Sequence, residues 1–472
     1  DYSLMLGMPG TGKTTTIVFL IRVLLQRGCR VLLSAFTNSA VDNVLSKLKE
    51  QGFNDFVRIG TSNSKPDIEP HLLCNKLAQQ TTSVAEQHRM PITTIKQIMG
   101  TVQLVAATCI GSRNQEVFNN ASKRPLVDFC IVDEASQILE PTCIAPLMVA
   151  KRFVLVGDPK QLPAVVVSQE ARDLGMSMSL FERLALQHPC AVSTLTDQYR
   201  MNEDITTLAN ELVYHGALRC GSVKVAQRKL VISPKILENV ERLPRPILLG
   251  NSRGSTGEQV AHHWIKDVLN PEKCVLFVNT DGLGLGPLEF RGKRSTSQAL
   301  AAPPRPPTDQ HTSHNNQHQR SKKRKTAAVV NEVEVELVKL LCRSLIRCGV
   351  SQNDVGVISP YRSQLKLLSR SLQSLPQVEV NTVDQYQGRD KTCILFSLVR
   401  SNAEGEIGSL LGDWRRINVA FTRAKTKLVI VGSLCTLEKA KDEHIATFVR
   451  CIKQHNWILT LPENGHSMYP TL

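Results

Sequence analysis

A chain of 472 residues is too long for a single hydrophobic core and divides into two or three domains. Its 42% hydrophobic and 21% charged residues are the composition of a globular protein, with no run near the ~20 apolar residues of a bilayer span and no leader at its start, so membrane and secretory classes are not expected. The formal charge of +15 favours a polyanionic partner such as nucleic acid.

In chain order, SLML at 3–6 reads as a strand, runs into GMPGTGKT at 7–14 and is followed by the helical TTTIVFLIRVLLQRG. Apolar runs recur at 30–35, 103–108, 129–133 and 153–157 with helical stretches between them, the pattern of a parallel sheet covered on both faces. Residues 54–100 lack a strong strand and read as a helical insertion carried by this sheet. A second series at 274–279, 354–360, 378–383, 393–399 and 427–432 predicts a second α/β domain, which divides the chain into 1–194 and 195–472.

Within the second domain, residues 282–330 are rich in Gly, Pro, Ser, Gln, His and Lys and cannot bury enough apolar surface to offset chain entropy. A disordered basic insert is expected there: 291–330 hold nine Lys or Arg against the single acid Asp309. The tract SKKRK at 321–325 fits a nuclear-import signal, a nucleic-acid contact or a solvated linker. Thirteen cysteines stand singly, without C-x-x-C pairs or zinc-finger spacing, so the spacing predicts no metal or iron–sulfur site.

Three strings carry chemistry. GMPGTGKT, between a strand and a helix, fits G-x-x-x-x-G-K-[ST] with Gly7, Gly12, Lys13 and Thr14. Its glycines let backbone N–H groups curl around phosphate oxygens, Lys13 reaches the β- and γ-phosphates, and the Thr14 hydroxyl can ligate magnesium. FCIVDEASQ ends an apolar strand in Asp133, suited to hold magnesium, and Glu134, suited to align and deprotonate an attacking water. Arginine fingers supply the positive charge that phosphoryl transfer needs, and Arg200 in LTDQYRMN and Arg423 in RRINVAFTRAK are the candidates.

Taken together with SAFTNSAVDN (34–43), VAATC (105–109), VGDPKQLPAVV (156–166), VISPYRSQ (357–364) and VNTVDQYQGRDK (380–391), these strings resemble the superfamily 1 helicases of the 5′-to-3′ branch. Within that branch DYSLMLGMPGTGKTTTI, DFCIVDEASQI and DWRRINVAFTRAK look most like the helicase half of the DNA-replication ATP-dependent helicase/nucleases. The resemblance covers nearly the whole chain apart from 282–330. It implies two tandem RecA-like domains and an ATP-driven motor moving 5′ to 3′ on single-stranded DNA, with flap or tailed duplex DNA and a single-strand-binding protein as partners. A nuclear location follows, with the mitochondrion as a second.

Position by position, the resemblance implies an ATP and Mg²⁺ site built from Gly7, Met8, Pro9, Gly10, Thr11, Gly12, Lys13, Thr14 and Thr15, with Thr14 and Asp133 on the metal. It makes Gln161 a γ-phosphate sensor, Arg200 and Arg423 the fingers, Tyr199 a stacking partner near adenine, and Gly388 and Asp390 nucleotide-proximal groups. Thr37, Asn38, Ser39, Thr108 and Thr382 would contact strand phosphates; ordinary capping is the alternative for such hydroxyls and amides. The family's adenine motif, nuclease carboxylates and iron–sulfur cysteines lie upstream of the phosphate loop and are not expected in this chain. An RNA helicase of the same branch, or an ATP-gated module regulating a nuclease, are the alternatives.

Overall fold

The computed structural model describes residues 1–60, 65–80, 92–113, 126–232, 264–292, 328–463 and 465. Seven strands form the first sheet: β1 (Tyr2–Gly7), β2 (Val31–Ala35), β3 (Phe56–Ile59), β4 (Leu104–Thr108), β5 (Val127–Asp133), β6 (Ala150–Gly157) and β7 (Val192–Leu195). All are parallel, in the order β3-β4-β2-β5-β6-β1-β7. After a two-residue ladder between β8 (Asp197–Gln198) and β9 (Arg219–Cys220) comes β10 (Val275–Asn279). It joins β13 (Val355–Ile358), β14 (Glu379–Asn381), β15 (Lys391–Ser397), β16 (Ala424–Gly432) and β17 (Ile458–Thr460) in a second parallel sheet, ordered β14-β13-β15-β16-β10-β17. The fold is α/β with two parallel sheets in tandem, as the alternating pattern predicts.

The central strands read as unbroken apolar runs because both of their faces are covered. In the first sheet Leu4, Leu32, Val105, Cys130 and Leu155 fill one core, while Val31, Leu33, Ile131, Val154 and Val156 fill the other. Register then aligns the strand ends: Ala35 lies beside both Thr108 and Asp133, and Leu6 beside Gly157. The segments after β1, β2, β4, β5 and β6 therefore leave the same edge, the one at which open parallel sheets bind ligands.

Two expectations need correction. Residues 54–100 are not helical throughout, since Phe56–Ile59 forms an edge strand of the first sheet before the helices Leu73–Gln80 and Ile92–Thr101. This strand has only four residues, and Arg58 breaks its apolar run. The second concerns 282–330, whose margins are ordered. β11 (Phe290–Gly292) pairs antiparallel with β12 (Ala328–Val330), and Arg400 pairs with Glu289 at 2.9 Å, which ties the base of the insert to the domain. The rest of the insert, 293–327 with its SKKRK tract, lies outside the described residues.

Arg58 is fully buried because its guanidinium has partners on every side. It pairs with Asp42 at 2.9 Å, donates to Asn38 Oδ1 at 2.7 Å and to the Ile59 carbonyl. That arrangement fixes α2 (Asn38–Glu50) against β3. Removing one member of a buried ion pair strands the other charge, at a cost of about 3–5 kcal/mol. Asp42→Ala is thus expected to lower stability by about that amount in urea unfolding, whereas Asp197→Ala, which breaks the exposed pair with Arg219, leaves the midpoint unchanged.

Candidate nucleotide site

β1 stops at Gly7, and the loop 8–12 turns the chain into α1 (Lys13–Gln26). Two of its residues need the left-handed region: Gly10 at φ +76° and Gly12, the N-cap, at φ +83°. Gly10 is also hemmed in, since a Cβ there would lie 2.8 Å from the Cβ of Arg200. Thr11 Oγ1 donates to Met8 O at 2.7 Å and pins the loop, while Met8 and Pro9 are buried beneath it. Thr14 and Thr15 stand half-buried and exposed on the first turn of α1, whose leading N–H groups have no acceptors within the helix. Lys13 folds back over the loop, its Nζ donating to Gly7 O at 2.8 Å. This curl of N–H groups, helix dipole and ammonium can hold a polyphosphate.

Asp133 ends β5 on the same sheet edge, buried, and its Oδ1 accepts from Glu134 N at 2.9 Å. Burial, with the charge of Glu134 next, pushes the Asp133 carboxyl up to about 7, against the pull of the Lys13 ammonium. Glu134 has φ +53°, a left-handed conformation that costs a side-chain-bearing residue roughly 1–2 kcal/mol. Strain of this kind concentrates at functional sites. Gln137 Nε2 donates to Glu134 Oε2 at 3.0 Å and orients its carboxylate.

Across from these groups stands the second sheet. Arg423, fully buried, donates from Nε to Val419 O at 2.8 Å and from Nη2 to Gln161 Oε1 at 3.3 Å. Gln161 in turn donates to Asp158 Oδ2 at 2.8 Å, so its carbonyl is left facing Arg423. Burial, with the charge of Arg200 next, pushes the Arg423 guanidinium down to about 9. Arg200 behaves differently. Its neighbour Tyr199 donates from the backbone to Gly10 O at 2.9 Å, which docks this segment on the phosphate loop, yet the guanidinium pairs with Asp390 at 3.1 Å and donates to Thr422 O at 3.1 Å.

Asp390 also pairs with Lys425 at 2.7 Å; burial raises its pKa, but Arg200 and Lys425 outweigh that and hold the carboxyl below its usual range. Gly388, at φ +77°, is exposed with open space around it. The Tyr199 ring is half out in solvent and lies against Gly221, where a Cβ would approach it to 2.4 Å.

Motif reading missed the rest of the seam between the sheets. Tyr214 donates to Asp158 Oδ2 at 2.7 Å and accepts from Asn418 Nδ2 at 2.9 Å, and Asn418 also donates to Lys160 O at 2.8 Å. Lys160 Nζ reaches Val213 O at 2.8 Å, and Arg415 Nε reaches Pro159 O at 3.1 Å. Burial, then the charge of Asp158, raises the Tyr214 phenol far above its ordinary value, so it remains a donor. Asp158, Lys160 and Asn418 do stand inside the quoted strings; Tyr214 carries no motif signal.

The expected strand contacts lie apart from the phosphate loop, at the ends of other strands. Thr37 Oγ1 caps α2 by accepting from Ala40 N at 3.2 Å and lies 3.2 Å from Ser39 Oγ. Asn38 commits its carbonyl to Arg58. Thr108 Oγ1 accepts from Gly111 N at 3.0 Å, and Thr382 Oγ1 from Gln385 N at 3.3 Å. Capping is therefore real for the three threonines, and it uses their lone pairs. Thr382 also lines an open groove of about 520 Å³ with Arg362, Lys366 and Arg370, which recur every four residues along the helix Arg362–Ser371.

A glycine-rich phosphate loop and an acidic strand end on one parallel sheet, met by arginines from a second, define a two-domain P-loop nucleotide-binding protein. Two family models, both described as an AAA domain, match the chain, one over 176–434 and the other over 1–95 and 73–169, and the chain belongs to this family. It is also homologous over its full length to part of the DNA replication ATP-dependent helicase/nucleases. It is 40% identical to DNA2 of Xenopus laevis over 473 residues, which span 100% of this chain and 39% of that protein. It is 40% identical to DNA2 of Homo sapiens over 467 residues, 99% of this chain and 38% of that one. DNA2 of Saccharomyces cerevisiae is 35% identical over 472 residues, 99% of this chain and 27% of that one. The chain thus spans at most about two fifths of the length of these curated relatives. Among solved structures, an Arterivirus nonstructural protein 10 (helicase) covers 91% of this chain and 59% of its own at 13% identity and a TM-score of 0.39, too slight a likeness to carry an argument.

The raised Asp133 carboxyl has a pH consequence. Because its folded value exceeds the unfolded one, the proton it holds stabilises the fold fully below the ordinary carboxylate value, and that contribution is lost as pH rises toward about 7. A divalent cation held by Asp133 would need the carboxylate and would displace this proton. The increase in melting temperature that magnesium–nucleotide produces is expected to grow between about pH 6 and about pH 8, and Asp133→Asn should flatten that dependence in a thermal-shift titration.

Proposed function

We propose that this chain is the motor part of a replication helicase/nuclease: an ATP-dependent translocase and helicase that moves 5′ to 3′ on single-stranded DNA. The observation that carries this reading is the seam itself. Gln161, on the sheet that carries the phosphate loop, is hydrogen-bonded to Arg423 of the second sheet, so a γ-phosphate sensed by Gln161 would be felt by both domains.

In this reading the backbone of 7–15 and Lys13 bind the phosphates of ATP. Thr14 and Asp133 would hold Mg²⁺, which would supply charge neutralisation to the phosphates. Glu134 aligns water against the γ-phosphorus and takes its proton as the bond to the β-phosphate oxygen breaks, giving ADP and phosphate. Arg423 bears on the charge of the transition state, and Arg200 joins it by leaving Asp390. Gln161 senses the γ-phosphate; Tyr199 stacks near the adenine, with Gly388 and Asp390 beside the nucleotide. Loss of the γ-phosphate releases the closure, and the two sheets shift relative to each other.

The track runs over the strand ends. Thr37, Asn38, Ser39 and Thr108 on the first sheet and Thr382 on the second meet phosphates through hydroxyl, amide and backbone groups, as a motor indifferent to base sequence requires. To donate to a phosphate, the Thr382 hydroxyl would turn its O–H away from Gln385 Oε1, 3.4 Å off. The basic groove beside Thr382 supports the same path. Flap and tailed duplex DNA, a single-strand-binding protein and action in the nucleus follow from the kinship with replication helicase/nucleases. ATP turnover, not strand cleavage, is the activity these residues build.

Single-stranded DNA is expected to raise ATP turnover by the chain. Glu134→Gln should lower that turnover by about 10²–10⁴, the usual worth of a positioned general base, and Lys13→Ala should abolish it. Turnover indifferent to any strand would overturn the reading, and stronger stimulation by RNA than by DNA of equal length would move the track to RNA.

A further inference from the structure

Away from the nucleotide site, the helix Glu443–Gln454 packs against the π-helical turn Asn210–Tyr214. Cys451 and His455, four residues apart, share the face of that helix end which meets the turn. His455 Nε2 lies 2.8 Å from Glu211 Oε1, and the Cys451 sulfur faces the same pair. The three donor atoms all lie within 4.8 Å of one another, and among the described residues no other group of three or more His, Cys, Asp or Glu converges in this way.

The donor set is that of a borderline-soft divalent metal. Thiolate, imidazole and carboxylate are the ligands of zinc, at about 2.0–2.3 Å from the ion, so tetrahedral donors stand roughly 3.3–3.7 Å apart. Donor atoms within 4.8 Å of one another stand near that spacing. One thiolate and one carboxylate balance a dication, so the filled site would be neutral beside the buried helix packing. Cys451 is fully buried, whereas Glu211 and His455 are about one-third exposed, which leaves one side open for entry and for a water ligand. The imidazole is held in plane by stacking on Trp457, with ring centroids 4.5 Å apart. In the metal-free state burial, together with Glu211, keeps the thiol protonated. A half-exposed His–Glu pair alone would be an ordinary surface contact; a buried thiol turned onto the same carboxylate is what makes a third ligand available.

We propose that Glu211, Cys451 and His455 form a binding site for a zinc-class divalent cation, completed by water, that pins the Asn210–Tyr214 turn to the helix Glu443–Gln454. The consequence reaches the motor. Glu211 stands on the same short turn as Tyr214, whose phenol joins Asp158 to Asn418, so an ion at this site would stiffen the latch between the two sheets.

The test is a cobalt(II) titration of the full chain, reading the thiolate-to-cobalt charge-transfer absorption, followed by zinc stoichiometry against a chromophoric chelator. The parent should show the band and bind one more equivalent of zinc than either Cys451→Ala or His455→Gln. The second variant, at a partly exposed position, should keep the parent's melting temperature in chelator, which separates lost binding from lost folding. No band in the parent, or a band and stoichiometry unchanged in both variants, would overturn the proposal. Neither reading involves nucleotide or strand, so the outcome is independent of the motor assignment.

Discussion

A guanidinium buried between two sheets with only neutral oxygens to bond is the constraint around which this protein is organised. Taking a charge out of water is costly, and a buried charge is ordinarily paired. Arg423 is instead hydrogen-bonded to a helix carbonyl and to the side-chain carbonyl of Gln161. Its unmet need is for an anion, and the phosphate loop stands on the sheet from which Gln161 comes. Arg200 shows the contrasting solution, with Asp390 beside it. One arginine thus has an internal carboxylate as partner, while the other has none among its hydrogen-bond acceptors.

From this contact a continuous hydrogen-bonded chain leads outward. Gln161 is fixed by Asp158, Asp158 by Tyr214, and Tyr214 by Asn418, whose other bond returns to Lys160 next to Gln161. A closed ring of this kind has little slack, because each buried polar group lost would leave its partner unsatisfied. A disturbance at Gln161 therefore reaches the helix Trp414–Phe421 and the turn Asn210–Tyr214 through groups already in contact. The same turn carries Glu211, which places the proposed metal site one step from the seam.

How much of this the sequence discloses follows from what each part needs. Central strands need apolar residues on both faces, so the runs around Leu32, Ile131, Leu155, Val357 and Leu428 are plain. Edge strands need not: β3 carries Arg58, β7 is the half-exposed VSTL and β17 has three residues, and these three do not stand out, whereas the fourth edge strand, β14, does at 378–383. Phosphate binding needs glycine at left-handed positions next to a lysine, a local demand that leaves a local string. The latch makes no such demand. Its partners are 56, 204 and 258 residues apart along the chain, and a tyrosine at 214 looks like any other. The hydroxyls of Thr37, Thr108 and Thr382 are ambiguous for another reason, since capping and phosphate contact call for the same residue type at the same place.

The central claim is that Gln161 and Arg423 act as one unit across the seam. A double-mutant cycle on strand-stimulated ATP turnover measures this directly, using Gln161→Ala, Arg423→Ala and the pair. If the two form a single device, the double variant is no slower than the worse single one, and the coupling falls at about 0.5–3 kcal/mol, as for residues in contact. Losses that simply add would contradict the account.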